Sequence, residues 1–214
     1  MKIHKEIIQG CRDWHEIKFG KIGGTRAKGL FVKSDTLLIE LVSELTEDFE
    51  IEESYSSDAM LRGQDLEPLG RERLEDLTGV KFIDVGWIDS SILNVGISPD
   101  GISEDNKIMC EIKCPGRKKH VETILADEIP SDYIHQCLHY FTVNEDLEKL
   151  YFVSFRPEAL KQLFVKELTK QSEINLGTKA RPQIKTVSEW VEIARFEAIK
   201  LNKEIEINIE KLTF

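Results

Sequence analysis

The sequence predicts a mixed α/β fold, in which a central mixed sheet of four to five strands is flanked by helices. Runs rich in β-branched and aromatic residues lie between residues 80 and 168, and apolar stripes with helical spacing precede and follow them. The 214 residues are 41% hydrophobic, which is enough to bury one core. We therefore expect a single domain, 1–214, with a helical N-terminal part at 1–79, a sheet core at 80–170 and a C-terminal helical extension at 171–214.

Three helices are predicted in the N-terminal part. The first covers 3–19, where apolar residues recur with helical spacing, and it ends near Gly20. The second covers 34–45 behind a Ser or Asp cap, and the third covers 59–77 and stops at Thr78-Gly79. Pro68 lies inside the third helix and predicts a kink or a break there. The acidic stretch 49–57 has no periodicity and is predicted to be a loop.

The sheet core alternates between predicted strands and helices. Period-2 apolar runs predict strands at 80–88, 92–97, 107–113 and 150–155, with an edge strand at 163–168. Helices are predicted at 117–126 and 131–143, and the second has a core-facing stripe. Residues 187–212 are predicted to form a long amphipathic helix or a helix pair, which packs on its own domain or at a subunit contact.

The charge and cysteine content limit the class of protein. No run of 18 or more apolar residues exists, so we expect a cytoplasmic protein without a membrane partner. The four cysteines form no C-x-x-C pair, which favours packed, reduced thiols over a zinc module, an iron–sulfur cluster or a disulfide framework. The net charge of −10 is unusual for a DNA-binding protein. Two basic clusters offset it, namely Lys18, Lys21, Arg26, Lys28 and Lys33, and Arg117, Lys118 and Lys119.

The stretch 97–115 contains the residues with the clearest chemistry. Asp100 lies in a predicted turn, and Glu111 and Lys113 are two apart on the strand that follows, so their side chains leave the same face. Two carboxylates near a lysine can hold a hard divalent cation and orient a water for attack on a phosphate. The bare triplet equally fits solvated carboxylates at a turn and at a strand end.

The surrounding motifs favour the first interpretation. Pro99-Asp100 and Glu111-Ile112-Lys113 resemble the two halves of the PD-(D/E)xK nuclease signature. Further motifs extend the likeness from about Trp14 to Pro157, namely Ser98-Pro99-Asp100-Gly101, Cys114-Pro115, Ile129-Pro130, Tyr133-x-x-Gln136, Tyr151-Phe152-Val153 and Arg156-Pro157. Together they resemble the lambda-exonuclease type of phage recombination nuclease, the YqaJ-like viral recombinase family. The resemblance implies a restriction-endonuclease-like core and a single nuclease domain.

The resemblance also implies roles for individual residues. Asp100, Glu111 and the main-chain carbonyl of Ile112 would hold Mg²⁺, with Mn²⁺ as an alternative and with one or two ions in the site. Lys113 would activate the attacking water. Glu67 would supply an additional active-site carboxylate, and Gln136 would position the lysine or a water.

A second group of residues is implied to hold the 5′ phosphate of a DNA end. These are Lys18, where the family usually has Arg, together with Thr25 and Ser98. A lysine binds phosphate as a point charge and lacks the bidentate fork of arginine. The alternative is that Gly20, Gly23 and Gly24 form only a helix C-cap and a turn. The histidines His120, His135 and His139 are interpreted as solvated or supporting residues, and not as a general base or a metal pair.

The implied activity is a Mg²⁺-dependent 5′→3′ exonuclease on linear double-stranded DNA. A trimeric ring would encircle the DNA, and a single-strand annealing protein would be its partner in phage-type recombination within the bacterial host of a phage or prophage. One alternative is a restriction-like endonuclease, which would also cut closed circles. The other is an idle nuclease-fold protein that only binds DNA or a partner, and loss of activity in Lys113→Ala would exclude it.

Overall fold

The computed structural model describes residues 1–32, 34–50, 58–91 and 93–213. Six α-helices and nine strands, with one 3₁₀ helix at Gly24–Leu30, are present in these residues. In chain order they are β1 (Lys2–His4), α1 (Arg12–Lys18), α2 (Asp35–Thr46), α3 (Asp58–Thr78), β2 (Trp87–Asp89), β3 (Gly96–Ile97), β4 (Gly101–Ile102), β5 (Ile108–Lys113), α4 (Arg117–Ala126), α5 (Ser131–Val143), β6 (Lys149–Phe155), β7 (Leu163–Thr169), β8 (Glu173–Asn175), β9 (Ile184–Thr186) and α6 (Val187–Leu212). The predicted mixed α/β class is confirmed.

The central sheet has four strands in the order β4-β5-β6-β7. Strands β5 and β6 are parallel, while the two outer pairs are antiparallel, so the sheet is mixed as predicted. A parallel pair needs a long crossover connection, and here α4 and α5 supply it. Both helices have the bounds that the sequence predicted, because Pro115-Gly116 and Pro130 mark their starts.

A second, three-stranded sheet in the order β1-β2-β3 corrects two predictions. The predicted helix at 3–19 is wrong in its first half, because β1 pairs with β2 and places Ile3 opposite Ile88. Gly10 then turns the chain with a φ of +83°, and α1 begins only at Arg12. The predicted strands at 80–88 and 92–97 shorten to β2 and β3, which lie outside the central sheet. Among the described residues, the first predicted strand pairs with that sheet only through an isolated bridge between Ile83 and Ile102 of β4. Residue 92 lies outside the described residues.

Helices α2 and α3 match their predicted positions. The Ser34 hydroxyl caps α2 by accepting a hydrogen bond from the Leu37 N–H at 3.3 Å. Helix α3 continues through Pro68, so the predicted break is wrong, and it ends at Gly79, whose φ is +72°. The predicted loop at 49–57 lies outside the described residues from 51 onward.

Two apolar clusters cover the two faces of the central sheet. Met109 of β5 belongs to the larger cluster, with Leu138 of α5, whereas Cys110 and Ile112 belong to the smaller one, with Leu74 of α3. This division agrees with the alternation predicted for β5. Glu111 shares the face of Met109, and its side chain therefore enters the core from the side of α5.

The C-terminal part is more than the helical extension that the sequence predicts. Strands β8 and β9 form a hairpin that was not predicted. Helix α6 is one continuous helix that packs on α5 and α2, and a capping box between Thr186 and Glu189 begins it. The Trp190 indole donates a hydrogen bond to the Ile174 carbonyl at 3.0 Å and ties the hairpin to the helix.

The four cysteines form no disulfide in the described residues; Cys110 and Cys137 are buried, and Cys11 and Cys114 are partly buried. Among the described helices, none is long and apolar enough to span a membrane.

Candidate active site

Asp100, Glu111 and Lys113 meet at the end of β5. Asp100 ends the turn before β4, and its Oδ2 accepts a hydrogen bond from the Ile112 N–H at 2.5 Å. The ammonium of Lys113 pairs with Glu111 Oε1. Glu111 is fully buried and Asp100 is 7% exposed. The structure therefore brings together the two carboxylates and the amine that the sequence predicted to converge.

Helix α5 holds the Glu111 carboxylate from the opposite side. The Gln136 amide donates to Glu111 Oε2 at 2.8 Å, and the Tyr140 hydroxyl donates to the same oxygen at 2.5 Å. Residues 136 and 140 are one helical turn apart, so both side chains leave the same face of α5. Gln136 contacts the carboxylate, whereas the sequence predicted that it would position the lysine or a water. Tyr140 is fully buried and was not predicted.

Arg71 of α3 fixes the turn that carries Asp100. Its Nη1 donates to the Asp100 carbonyl at 2.8 Å and also pairs with Asp84. A guanidinium can satisfy several acceptors at once because its donors form a fixed fork. Arg71 therefore links α3, which carries Glu67, to the Asp100 turn.

Negative charge accumulates in this site. Burial, followed by repulsion from Glu111, raises the pKa of Glu67. The same two causes raise the pKa of Asp100 well above its usual range. Burial alone would lower the pKa of Lys113, but the carboxylates of Glu111 and Asp100 outweigh it and raise that pKa. Three carboxylates facing one ammonium leave an excess of negative charge, which a cation would relieve.

The oxygen donors at this site fit a hard divalent cation that takes only a few of its ligands from the protein. No three or more His, Cys, Asp or Glu side chains converge on one metal position anywhere in 1–32, 34–50, 58–91 and 93–213. Two carboxylates with a main-chain carbonyl are nevertheless the kind of set that Mg²⁺ uses, because Mg²⁺ keeps several waters. Asp100, Glu111 and the carbonyl of Ile112 match this pattern, and Glu67 lies beside them as a further carboxylate.

A cleft of about 700 Å³ opens next to these residues. Glu67, Arg71 and Pro99 line it on the side of the carboxylates, and residues 7–10 line it on the other side. Asp100, Glu111 and Lys113 do not line this cleft, and Glu67 connects it to them. The Lys113 side chain is 28% exposed, so the site is open to solvent at its ammonium although Glu111 is buried.

A smaller cavity of about 320 Å³ brings together Lys18 and Thr25, two of the three residues predicted to bind a 5′ phosphate. The Lys18 ammonium lies 3.3 Å from the centre of the Trp14 ring. Burial, together with the charge of Arg26, lowers the pKa of Lys18 to about 8. Ser98 is linked to this cavity through Trp14, because its hydroxyl accepts a hydrogen bond from the Trp14 indole at 3.0 Å. The same hydroxyl donates to the Gly86 carbonyl.

The glycine-rich turn beside this cavity connects it to the carboxylates. Gly20 follows α1 with a φ of +69°, which agrees with the alternative of a helix-ending glycine. Gly24 is required for a different reason. A Cβ there would lie 2.9 Å from Ile97 Cδ1 and 3.0 Å from Gln136 Cγ. The turn therefore packs directly on a residue that contacts Glu111.

Ion pairs neutralise only part of the two predicted basic clusters. Lys21 pairs with Asp89 at 2.7 Å, and Arg26 pairs with Glu44. In the second cluster, Lys119 pairs with Asp132 at 2.5 Å. Lys33 lies outside the described residues.

The histidines are more buried than predicted. His120 is fully buried and bridges the Ser154 hydroxyl and the Lys161 carbonyl, each at 2.8 Å, so its interpretation as a solvated residue is wrong. His139 is also fully buried, and its Nε2 lies 3.0 Å from the carbonyls of Ile22 and Gly96. His139 therefore links Ile22, just before the glycine-rich turn, to Gly96 of β3, which precedes the Asp100 turn.

Two supporting residues, Arg71 and Tyr140, escaped prediction because their contacts are made across the fold. His139 was interpreted as a solvated or supporting residue, and the structure gives it the supporting place. Only Tyr140 had a signal in the sequence. It lies one helical turn after Gln136, so the same face of α5 had to carry both side chains to Glu111.

Comparison with known proteins agrees with this geometry. Residues 13–146 match the family model of the YqaJ-like viral recombinase domain. The crystal structure of LHK-Exo, an alkaline exonuclease from Laribacter hongkongensis, is 27% identical over 95% of this chain and 96% of that chain, with a TM-score of 0.74. The same exonuclease in complex with dAMP is 27% identical over 95% and 98% of the two chains, with a TM-score of 0.72. No curated protein sequence matches the chain.

Proposed function

Because the chain belongs to the YqaJ-like viral recombinase domain family, as its motifs predicted, we propose that it is a metal-dependent 5′→3′ exonuclease. Its substrate would be linear double-stranded DNA, and its products would be 3′ single-stranded overhangs and nucleotides. The similar LHK-Exo binds dAMP, and a deoxynucleoside monophosphate is what an exonuclease releases.

The observation that carries this proposal is the convergence of Asp100, Glu111 and Lys113 beside an open cleft. Asp100, Glu111 and the Ile112 carbonyl would hold Mg²⁺ or Mn²⁺, as one or two ions. A bound divalent cation would lower the pKa of a water and neutralise charge on the scissile phosphate.

The protein side chains would supply orientation and charge. Gln136 and Tyr140 occupy Glu111 Oε2, so they fix the plane of the carboxylate and leave Oε1 directed at Lys113. Lys113 keeps its proton beside these carboxylates, which suits it to orient the attacking water and to offset phosphate charge. Glu67 would add a carboxylate at the mouth of the cleft.

Recognition of DNA ends would use the cavity of Lys18 and Thr25, with Ser98 acting through Trp14. The family resemblance supports two further proposals. Three copies would form a ring around the DNA, which would retain it despite the net charge of −10. A single-strand annealing protein would take over the exposed strand.

The test is nucleotide release from linear duplexes labelled at one end, with and without a 5′ phosphate, at several salt concentrations. We expect Mg²⁺-dependent release from 5′ ends and no cutting of closed circles. Cutting of circles would instead favour the restriction-like endonuclease.

Lys113→Ala should abolish the release. Lys107→Ala is the matched control, because Lys107 precedes the same strand but pairs with Glu148 at the surface. Full activity in Lys113→Ala would refute the assignment.

A further inference from the structure

The cavity of Lys18 and Thr25 contains a second cation, the guanidinium of Arg26. Lys21 lines the same cavity, but its ammonium is paired with Asp89 at 2.7 Å. Arg26 therefore supplies the fork geometry that Lys18 lacks, and this geometry matches two oxygens of a phosphate.

A carboxylate of the protein now occupies that fork. Glu44 Oε2 accepts from Arg26 Nη1 at 2.9 Å, and its Oε1 accepts from Nη2. The same carboxylate accepts from the Gly20 N–H at 2.8 Å. A guanidinium fork with a main-chain N–H is a donor set that also binds phosphate oxygens.

The arrangement of charges favours an additional anion. Lys18 and Arg26 lie close enough for the charge of Arg26 to contribute to the lowered pKa of Lys18. The structure gives Lys18 a cation–π contact with Trp14, and among the described residues it gives Lys18 no carboxylate partner. Glu44 and, at 3.7 Å from Nε, Glu40 both pair with Arg26, so Lys18 is the cation without an acidic partner in the described part of the chain. A terminal phosphate carries up to two negative charges and could contact both cations.

We propose that Arg26 is a second phosphate-binding residue of this cavity and that Glu44 is a resident anion, which the 5′ phosphate of a DNA end displaces. The inference rests on the proposed end recognition and adds a specificity device to it. Glu44 competes with every incoming anion, so a weakly held internal phosphate of the DNA backbone is rejected more readily than a terminal one.

The experiment measures equilibrium binding of 5′-phosphorylated and 5′-hydroxyl duplexes in EDTA, where hydrolysis is not supported. Glu44→Gln keeps an acceptor for Gly20 but weakens the hold on Arg26, and an ion pair of this kind corresponds to about a five-fold change. We expect about five-fold tighter binding of the phosphorylated end and unchanged binding of the hydroxyl end. Glu145→Gln, which weakens a comparable pair with Arg195 elsewhere, should change neither.

The double variant Arg26→Gln/Glu44→Gln removes both charges of the bidentate pair. It leaves only the half-exposed Glu40, 3.7 Å from Arg26 Nε, without its partner, so its melting temperature should stay close to that of the wild type. It should lose most of the phosphate preference. If the wild type prefers the phosphate and the double variant prefers it equally, the inference is overturned while the proposed function stands. If the wild type shows no preference, the end-binding part of the proposed function fails, and the inference fails with it.

Discussion

Replacing Tyr140 by phenylalanine tests whether α5 holds the Glu111 carboxylate for catalysis. The substitution removes one hydroxyl from a fully buried position and leaves the ring in place. The lost hydrogen bond, 2.5 Å to Glu111 Oε2, has a charged acceptor, and such bonds contribute roughly 1.5–3 kcal/mol. Supporting contacts to metal-binding residues typically contribute about 10–100-fold in metal affinity or activity.

We therefore expect the rate of nucleotide release at subsaturating Mg²⁺ to fall by about 10–100-fold in Tyr140→Phe. The Mg²⁺ concentration for half-maximal rate should rise, and calorimetric titration with Mn²⁺ should show weaker binding without any DNA present. Tyr151→Phe is the matched control, because the Tyr151 hydroxyl is 3.4 Å from the Lys149 ammonium and away from Glu111.

The reasoning would be refuted by a folded Tyr140→Phe protein whose rate and metal affinity stay within two-fold of the wild type, in roughly the range expected of a neutral surface change. A double-mutant cycle with Gln136→Leu sharpens the test. Both residues donate to the same oxygen, so their effects should not be additive.

Three further outcomes follow from the structure. The pKa of Lys18 is about 8, so its positive charge is lost as pH rises through that value. The preference for 5′-phosphorylated ends should decline there, and Lys18→Arg should keep this preference at higher pH. Identical pH profiles of the wild type and Lys18→Arg would contradict a cationic role of Lys18. Burial lowers the pKa of His139 to about 4, so between pH 6.5 and 4 the unfolded state takes up a proton that the folded state does not. The free energy of unfolding, measured by urea titration, should therefore fall by up to about 3 kcal/mol over this range. His139→Asn should flatten this dependence. Gly24→Ala places a Cβ 3.0 Å from Gln136 Cγ and should lower nucleotide release, while Gly63→Ala, at a glycine with open space around it, should leave the rate unchanged.

The central strand and its chemistry could be predicted because they depend on local spacing. Glu111 and Lys113 are two apart on a strand, so period-2 alternation alone puts them on one face. Asp100 could be added because a Pro-Asp-Gly turn returns the chain toward that strand. Helix α5 was equally predictable, since its stripe of Ile134, Cys137 and Leu138 has helical spacing.

The errors arose where long-range pairing overrode local pattern. The apolar spacing of 3–8 suggests a helix, yet β1 forms because Ile3 finds a partner in Ile88, far along the chain. His120 is polar and lies on a helix, so its burial depends on hydrogen-bond partners, the Ser154 hydroxyl and the Lys161 carbonyl, that the local sequence does not reveal. Arg71 was not predicted for the same reason, since its contacts with Asp84 and the Asp100 carbonyl are made across the fold.

Helix α5 contacts both parts of the proposed site, so substitutions in it should affect both. Gln136 and Tyr140 hold the carboxylate that would do chemistry. His139, between them in sequence, links Ile22, just before the end-binding turn, to Gly96 of β3. Helix α5 thus sets the distance between the residues that would bind a DNA end and the residues that would hydrolyse it. A substitution that rotates α5 should therefore change both the binding of DNA ends and the rate of nucleotide release.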